Sequence, residues 1–344
     1  MFKPKYTITN KLLANIKQIN SLVQELNNRK FPQVVIYELE RNAREISTYA
    51  STSIEGNPLP LTDVKQILKS QPQNLRVSER EVINYNQVLE ELNKKMQKGA
   101  LVFNLDLILS IHKKVVDKLV PQYQLGKLRT EQVFVNSPKL GKTVYWPPDD
   151  KDVPQLAKDL VEFTARSKET IDPLIIAAIF HKQFVVIHPF MDGNGRTARL
   201  ATKVLLADMG LNTFNLFSFE NFYNKNVTNY FEKVGLLGNY YDMADSLDFT
   251  NWLEYFTDGI IDELFRVKKL LPQVFASPKT ELLPYYKKIL DFIGEKGYIS
   301  NSDYTKLTNR AKSTRSLDFK KMVEMGMIVK KGKGRATYYQ LKEK

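Results

Sequence analysis

Residues 188–199 read HPFMDGNGRTAR, and this stretch decides the fold. The proline after His188 pushes that histidine out of the helical region, so a helix is predicted to end there. Gly193 and Gly195 let successive backbone N–H groups converge, and a helix beginning near Arg196 points its positive end at the same place. The sequence therefore predicts an anion-binding nest with a histidine beside it.

The charged side chains of this stretch suit a polyphosphate ligand. Arg196 and Arg199 lie three residues apart on one helical face and offer two guanidinium forks to phosphate oxygens. Asp192 would repel phosphate unless a divalent cation lay between them, so we assign it to Mg²⁺. His188, at a helix end facing a loop, is placed as a general base.

Two neighbouring residues have an ordinary structural interpretation. His181 lies in an apolar helical segment, where a histidine is usually a hydrogen-bonded core residue. Phe190 is most simply an anchor that holds the loop in the core. Neither is assigned a chemical role.

The stretch resembles the signature of the Fic (Fic/Doc) family, His-x-Phe-x-Asp/Glu-Gly-Asn-Gly-Arg-x-x-Arg, and fills every specified position. The resemblance implies a mainly α, Fic-like helical bundle that transfers AMP from ATP to a Ser, Thr or Tyr hydroxyl of a protein. His188 would take the hydroxyl proton, with Mg²⁺ on Asp192. ATP is the expected nucleotide, although members of the family transfer other phosphate-containing groups. The triphosphate would be held by Gly193, Asn194, Gly195, Arg196 and Arg199.

A second motif precedes this region. Residues 51–57 read STSIEGN and resemble the inhibitory motif Ser/Thr-x-x-x-Glu-Gly/Asn of Fic proteins whose own helix blocks the site. From the residues alone, Glu before Gly-Asn is only a helix end. The resemblance implies that Glu55 pairs with Arg199, which should hold the γ-phosphate, so that ATP binds unproductively. In some relatives this glutamate positions water that removes AMP from a modified protein, so the direction of reaction stays open.

Residues 133–146, VFVNSPKLGKTVYW, predict one isolated β-hairpin in an otherwise helical chain. An isolated hairpin is marginal in water, so it must lie against the bundle or a ligand. The preceding residues 126–130, GKLRT, resemble the approach to the Fic flap, which covers the nucleotide and binds the target by strand addition. An ordinary structural hairpin is the alternative. The resemblance assigns nucleotide contacts to Val135, Asn136, Tyr230 and Asn239.

Helical periodicity covers most of the remaining chain. We expect four parts: an N-terminal helical inhibitory region (1–99), a Fic core (100–245), a helical connector (246–279) and a winged-helix domain (280–344). Helices are predicted at 8–26, 34–54, 61–69, 79–97, 104–119, 152–168, 172–187, 195–209, 219–236 and 250–271.

Composition removes several function classes. The 344 residues include no cysteine and only three histidines, which excludes a disulfide framework, a thiol nucleophile and Cys-ligated zinc. The first twenty residues lack an apolar signal core, and the apolar run near 174–187 is broken by polar residues well short of a membrane span. A cytoplasmic protein without a membrane partner is expected.

The net charge of +13 is concentrated at the C-terminal end, where residues 280–344 hold 15 Lys and Arg against 7 Asp and Glu. Helices at 284–294, 302–308 and 312–325, followed by strands at 327–331 and 335–341, resemble a winged helix-turn-helix. In that family the third helix enters a DNA groove and the basic wing contacts phosphate. A module for dimerisation or protein contact is the alternative. The third helix carries Lys312, Arg315, Lys320 and Lys321.

Two function classes therefore remain. The first is a Mg²⁺-dependent protein adenylyltransferase held inactive by its own helix. The second is a DNA-binding regulator whose Fic core senses nucleotide or modifies itself. An intact His188 and Asp192 favour the enzyme, because a sensor needs no base. The sequence names neither the target protein nor the oligomeric state, and a homodimer is one possibility.

Overall fold

A computed structural model of the chain describes residues 1–29, 31, 33–70, 72–99, 101–137, 141–211, 213, 215–275 and 283–342. The chain forms two compact units: Met1–Asn28 with Asn42–Arg266, and Arg29–Arg41 with Val267–Lys344. The predicted boundaries after residues 99 and 245 both fall inside the first unit. Apart from Arg29–Arg41, the predicted inhibitory region and the predicted core thus belong to one compact body.

The first unit is mainly helical, as predicted. The predicted helix at 219–236 is two helices, because Asn226 leaves the helical conformation and its side chain caps the second one by accepting from Asn229 N–H. The helices are α1 (Asn10–Asn27), α2 (Gln33–Ile54), α3 (Leu61–Ser70), α4 (Val77–Gln97), α5 (Leu105–Val115), α6 (Val153–Ser167), α7 (Pro173–Ile187), α8 (Asn194–Asp208), α9 (Glu220–Lys225), α10 (Val227–Val234), α11 (Tyr240–Met243) and α12 (Thr250–Phe275).

Helix α7 lies at the centre of this unit. Its sequence is apolar on all sides, which is typical of a helix surrounded by others, and every residue from Leu174 to Phe184 is buried. The polar exceptions are His181, Lys182 and Gln183. His181 places Nε2 3.1 Å from the Tyr230 hydroxyl and Nδ1 3.2 Å from the Thr202 hydroxyl. Burial lowers the pKa of His181 to about 3. The prediction of a hydrogen-bonded core histidine is confirmed.

The predicted hairpin forms β1 (Val135–Ser137) and β2 (Lys142–Trp146), which pair antiparallel. It is not isolated, however, because β3 (Gly238–Asn239) pairs in parallel with the other edge of β2. A strand of two residues is too short to show any periodicity, so the sequence could not reveal it. β1 is an edge strand of this sheet, and residues 138–140 of the predicted turn lie outside the described residues.

The C-terminal part of the second unit contains α13 (Pro284–Lys296), β4 (Ile299–Ser300), α14 (Asn301–Leu307), α15 (Lys312–Glu324), β5 (Ile328–Lys331) and β6 (Tyr338–Leu341). The sheet is antiparallel with the order β4-β6-β5. The two-residue strand β4 was not predicted.

The cations of α15 differ in their availability. Lys320 is 73% exposed, whereas Arg315 donates to the Arg310 carbonyl within the fold. The winged helix and its DNA contact stay predictions. Among the described helices, none has the length and hydropathy needed to cross a bilayer.

Candidate active site

His188 ends α7 in a left-handed conformation, with φ of 52° and ψ of 59°. This conformation is unfavourable for a residue with a side chain, and here two hydrogen bonds hold it. His188 N–H donates to the Phe184 carbonyl at 3.0 Å, and Arg129 Nε donates to the His188 carbonyl at 2.9 Å. The chain therefore turns sharply at His188, and the imidazole lies at the entrance to the loop.

The imidazole of His188 is oriented by its own helix. Nδ1 lies 3.2 Å from the Val185 carbonyl, which can only accept, so Nδ1 carries the proton and Nε2 keeps a lone pair. Burial holds the pKa of His188 below its usual value, while the Val185 carbonyl and Glu55 act in the opposite direction. At neutral pH this gives an uncharged histidine with a basic nitrogen.

The loop after His188 is closed by Asn194. Its Oδ1 accepts from Phe190 N–H at 2.9 Å, and its Nδ2 donates to the Phe190 carbonyl at 2.8 Å. Phe190 is fully buried and stacks on the His112 ring, with 3.7 Å between the ring centroids. The prediction that Phe190 anchors the loop is confirmed, and the Asn194 side chain is used to shape the loop.

His112 supports the same loop from α5. It accepts from Gly126 N–H at Nδ1 (3.1 Å), so Nε2 donates to the Asp192 carbonyl at 3.0 Å. Burial lowers its pKa to about 4, which keeps this tautomer neutral. Gly193, with φ of 78°, leaves no room for a side chain, since a Cβ would lie 2.5 Å from Val116 Cγ1. Contacts with His112 and Val116 thus fix the backbone of the predicted nest.

The flap is tied to the same end of α7. The Tyr145 hydroxyl donates to the Val186 carbonyl at 2.9 Å, and Val135 packs on these two side chains. Arg129, which is 3% exposed, also donates to the Glu131 carbonyl at 3.1 Å. The GKLRT segment therefore joins the predicted flap to the carbonyl of His188.

Glu55 lies in the predicted nest. A Cβ placed on Gly195 would be only 2.1 Å from Glu55 Oε1 and 2.9 Å from Arg199 Nη1, so the carboxylate touches the first turn of α8. The positive end of that helix is where an anion binds best. The protein's own carboxylate occupies this position.

Arg199 is fully buried and makes two hydrogen bonds to α2 and a third to Glu55, which follows α2 directly. Its Nη2 donates to Glu55 Oε1 at 2.6 Å and to the Ser51 carbonyl at 2.9 Å, and its Nε donates to the Ser51 hydroxyl at 2.8 Å. Burial acts to lower the pKa of Arg199, but Glu55, Tyr230 and Tyr85 raise it above its usual range. No described residue accepts from Nη1. One donor of this buried cation is therefore left for a further acceptor.

Arg196 has different partners. Its Nη2 lies 3.0 Å from Asp192 Oδ2, and its Nη1 lies 2.7 Å from Glu81 Oε1 on α4. Burial raises the pKa of Glu81, whereas Arg196 lowers it. The two guanidinium groups that were predicted to bind phosphate together thus have different surroundings. Arg199 faces the nest, whereas Arg196 bridges two carboxylates.

The position of Asp192 suits a metal ion that binds together with substrate phosphates. Its side chain is 54% exposed, and Oδ1 accepts from Gly193 N–H at 2.6 Å. Within the described ranges, no group of three or more His, Asp or Glu side chains forms a metal cage. Mg²⁺ is commonly held by one or two carboxylates together with substrate phosphates and water. The single exposed carboxylate fits that mode.

The four predicted nucleotide contacts outside the motif lie in different surroundings. Val135 and Asn136 are on β1, where the Asn136 amide oxygen accepts from the Thr143 hydroxyl at 2.8 Å. Asn239 is exposed and caps α11 by accepting from Tyr241 N–H at 2.9 Å. Tyr230 is 1% exposed, so its ring offers no surface to a nucleotide base in this conformation.

Sequence reasoning missed three supporting residues. His112, Arg129 and Glu81 contact the motif across 80, 59 and more than 100 positions of the chain, respectively. The only available signals were weak: His112 is one of three histidines, and Arg129 lies inside the GKLRT segment. Glu81 carries no signal, because it is one of many acidic residues on a helix.

The fold is similar to that of solved Fic protein structures. A Fic family protein from Desulfovibrio desulfuricans aligns over 100% of this chain and 99% of its own, with a TM-score of 0.65 and 21% identity. Fic-1 (residues 134–508) from Caenorhabditis elegans aligns over 76% of this chain and 73% of its own, with a TM-score of 0.60 and 25% identity.

The sequence comparisons name the family. Residues 102–206 match the Fic/DOC family. Protein adenylyltransferase fic-1 of C. elegans is 31% identical over 200 residues, and its Caenorhabditis briggsae counterpart is 33% identical over 211 residues. The alignments cover 57% and 59% of this chain but 38% and 40% of those proteins. The chain thus spans about two fifths of the length of these curated relatives.

Proposed function

We propose that the chain is a protein adenylyltransferase that moves AMP from ATP to a side-chain hydroxyl of a target protein and is restrained by Glu55. One observation carries the proposal: His188 has an unprotonated Nε2 beside a helix N-terminus built to hold an anion. The names of the relatives support the same reaction.

The reaction uses this chain's residues in defined roles. His188 Nε2 takes the proton as the target oxygen attacks the α-phosphorus. An oxygen–phosphorus bond forms, the bond to the β-phosphate oxygen breaks, and pyrophosphate leaves. The first turn of α8, which begins with Asn194 and Gly195, would present its backbone N–H groups to the phosphates.

Asp192 would hold Mg²⁺ beside the triphosphate, where the metal would neutralise charge on the phosphate oxygens. ATP is proposed as the nucleotide and Mg²⁺ as the metal. A target protein with an exposed Ser, Thr or Tyr is proposed as the acceptor. β1 is an edge strand that can pair with an extended segment of that target.

The restraint follows from the contacts of Arg199. The guanidinium that suits a terminal phosphate is held by Ser51 on α2 and by Glu55 just after that helix. A triphosphate entering the nest would meet the Glu55 carboxylate at close range, and like charges repel strongly in a site shielded from water. ATP would therefore bind in an arrangement that does not favour transfer.

The test is label transfer from ATP carrying the label at the α- or the γ-phosphate, with the Glu55→Gly variant and a lysate as the source of acceptors. We expect proteins to be labelled by α-labelled ATP only. Label from γ-labelled ATP would indicate a kinase, and no label from either would contradict the proposal. Release of label from a modified protein in the same assay would indicate that removal of AMP is the main direction.

A further inference from the structure

The Arg196 guanidinium lies between two carboxylates, and only one of them belongs to the motif. Asp192 and Glu81 approach two different nitrogens of the fork, at 3.0 Å and 2.7 Å. The side chains of Arg196 and Glu81 are 5% and 15% exposed, so water screens their contact weakly. Arg196 is thus fixed from both sides.

A further residue fixes Glu81. Asn57 Nδ2 donates to Glu81 Oε2 at 2.6 Å and to the Ser78 carbonyl at 2.9 Å. The Asn57 side chain is itself held, since its Oδ1 accepts from Leu59 N–H at 3.1 Å. Both carboxylate oxygens of Glu81 are therefore engaged, and the carboxylate is locked against Arg196.

The charges of this group matter for a cation. Glu81 and Asp192 are negative and Arg196 is positive, so the three groups together carry one negative charge. Without the charge on Glu81, Arg196 would neutralise Asp192 alone, and the group would carry none. A divalent cation is attracted by the net negative charge at its ligand, whereas the triphosphate of a nucleotide is repelled by it.

We propose that Glu81 is a positioning residue for the metal-binding carboxylate: through Arg196 it orients Asp192 and preserves the negative charge that a divalent cation needs. The inference rests on the proposed function, in which Asp192 holds Mg²⁺ beside the triphosphate. Glu81 acts through Arg196 and does not itself touch the nucleotide.

The test is calorimetry of ATP binding to the full chain over a series of Mg²⁺ concentrations, with Glu81→Gln as the variant. We expect the half-saturating Mg²⁺ concentration to rise about threefold to tenfold, from the loss of one charge near the metal. Binding of ATP without metal should stay the same or strengthen. These opposite directions distinguish a positioning role from a structural role, because loss of a structural residue would weaken both the binding of Mg²⁺ and the metal-free binding of ATP.

Three further variants complete the experiment. Glu81→Met removes the charge in a different shape, and its result stands if the Gln variant does not fold. Glu81→Asp keeps the charge and should stay close to wild type in its metal requirement. Glu90→Gln, the same change at a half-buried position of α4 where Glu90 pairs with Lys94, is the matched control and should change nothing.

Two outcomes would overturn the inference, and they differ from each other. An unchanged Mg²⁺ requirement in both neutral variants, or an equal loss of metal-free binding, contradicts the role of Glu81 alone. A wild-type chain that binds no ATP at any Mg²⁺ concentration contradicts the proposed function, and the inference with it.

Discussion

Two sides of α8 differ in how they are built. On the catalytic side, formed by His112, Arg129, His188 and Asn194, buried side chains bond to backbone carbonyls and amides. On the side proposed to be inhibitory, Ser47 and Ser51 of α2 and the following Glu55 face Arg199 and Lys203, and most contacts join side chain to side chain. The first kind of contact fixes the shape of a loop. The second kind can be broken while the loop keeps its shape. We therefore expect that inhibition by Glu55 can be removed without loss of the proposed catalytic residues.

The largest effect is expected on the catalytic side. His188→Ala removes the only imidazole with a free basic nitrogen at the nest, and loss of a general base typically costs about a hundredfold to ten-thousandfold in rate. ATP affinity, measured by calorimetry, should stay close to wild type because the nest is intact. Full label transfer by this variant would contradict the role of His188 as the base, and with it the difference drawn between the two sides of α8.

The inhibitory side should respond in the opposite direction. Glu55→Gly frees Arg199 and empties the first turn of α8, and the rate of label transfer should rise about tenfold to a hundredfold, since about 1.4 kcal/mol is a factor of ten. Glu55→Gln keeps the size of the side chain but not its charge, and should give a smaller rise. An unchanged or lower rate in Glu55→Gly would mean that Glu55 only ends a helix.

The pH dependence sharpens the assignment of His188. A base works only when unprotonated, and burial lowers its pKa below 6.5, so the rate should be flat through neutral pH and fall only below about pH 6.5, up to tenfold per unit. Because Glu55 raises this pKa, its removal should move the fall to lower pH still. Rates of wild type, Glu55→Gly and Glu55→Gln, measured from pH 5 to 8, check both, because only wild type keeps the Glu55 carboxylate. A midpoint above 6.5 contradicts the assignment.

The smallest effect concerns the position of α2. Lys203 Nζ donates to the Ser47 hydroxyl at 2.6 Å and pairs with the buried Glu220 at 2.9 Å. Ser47 lies on α2, two turns before Glu55. A single hydrogen bond contributes about 1 kcal/mol, so Ser47→Ala should loosen α2 and raise label transfer about twofold to fivefold. Ser53→Ala, on another face of α2, is the control. An equal rise in both variants would mean general loosening rather than loss of this contact.

The parts that could be predicted from sequence are those whose signal is local. The turn from His188 to Arg199 and the helix ending before Glu55 are each written in a short run of residues, and most helices follow from their periodicity. The strand at 238–239 is too short for a pattern. Glu81 depends on a contact with Arg196 that only the packed fold creates, and the burial of Tyr230 follows from a stacked ring, Tyr223, with 4.6 Å between centroids.

The central claim is that Glu55 restrains the site by occupying Arg199, and the double variant Glu55→Gly with Arg199→Ala tests it most directly. Self-labelling from α-labelled ATP is compared among wild type, Glu55→Gly, Arg199→Ala and the double variant. If the released guanidinium produces the gain, the gain seen with Glu55→Gly should disappear when Arg199 is absent. Retention of the full gain without Arg199 would contradict the account, because Glu55 would then inhibit by another route.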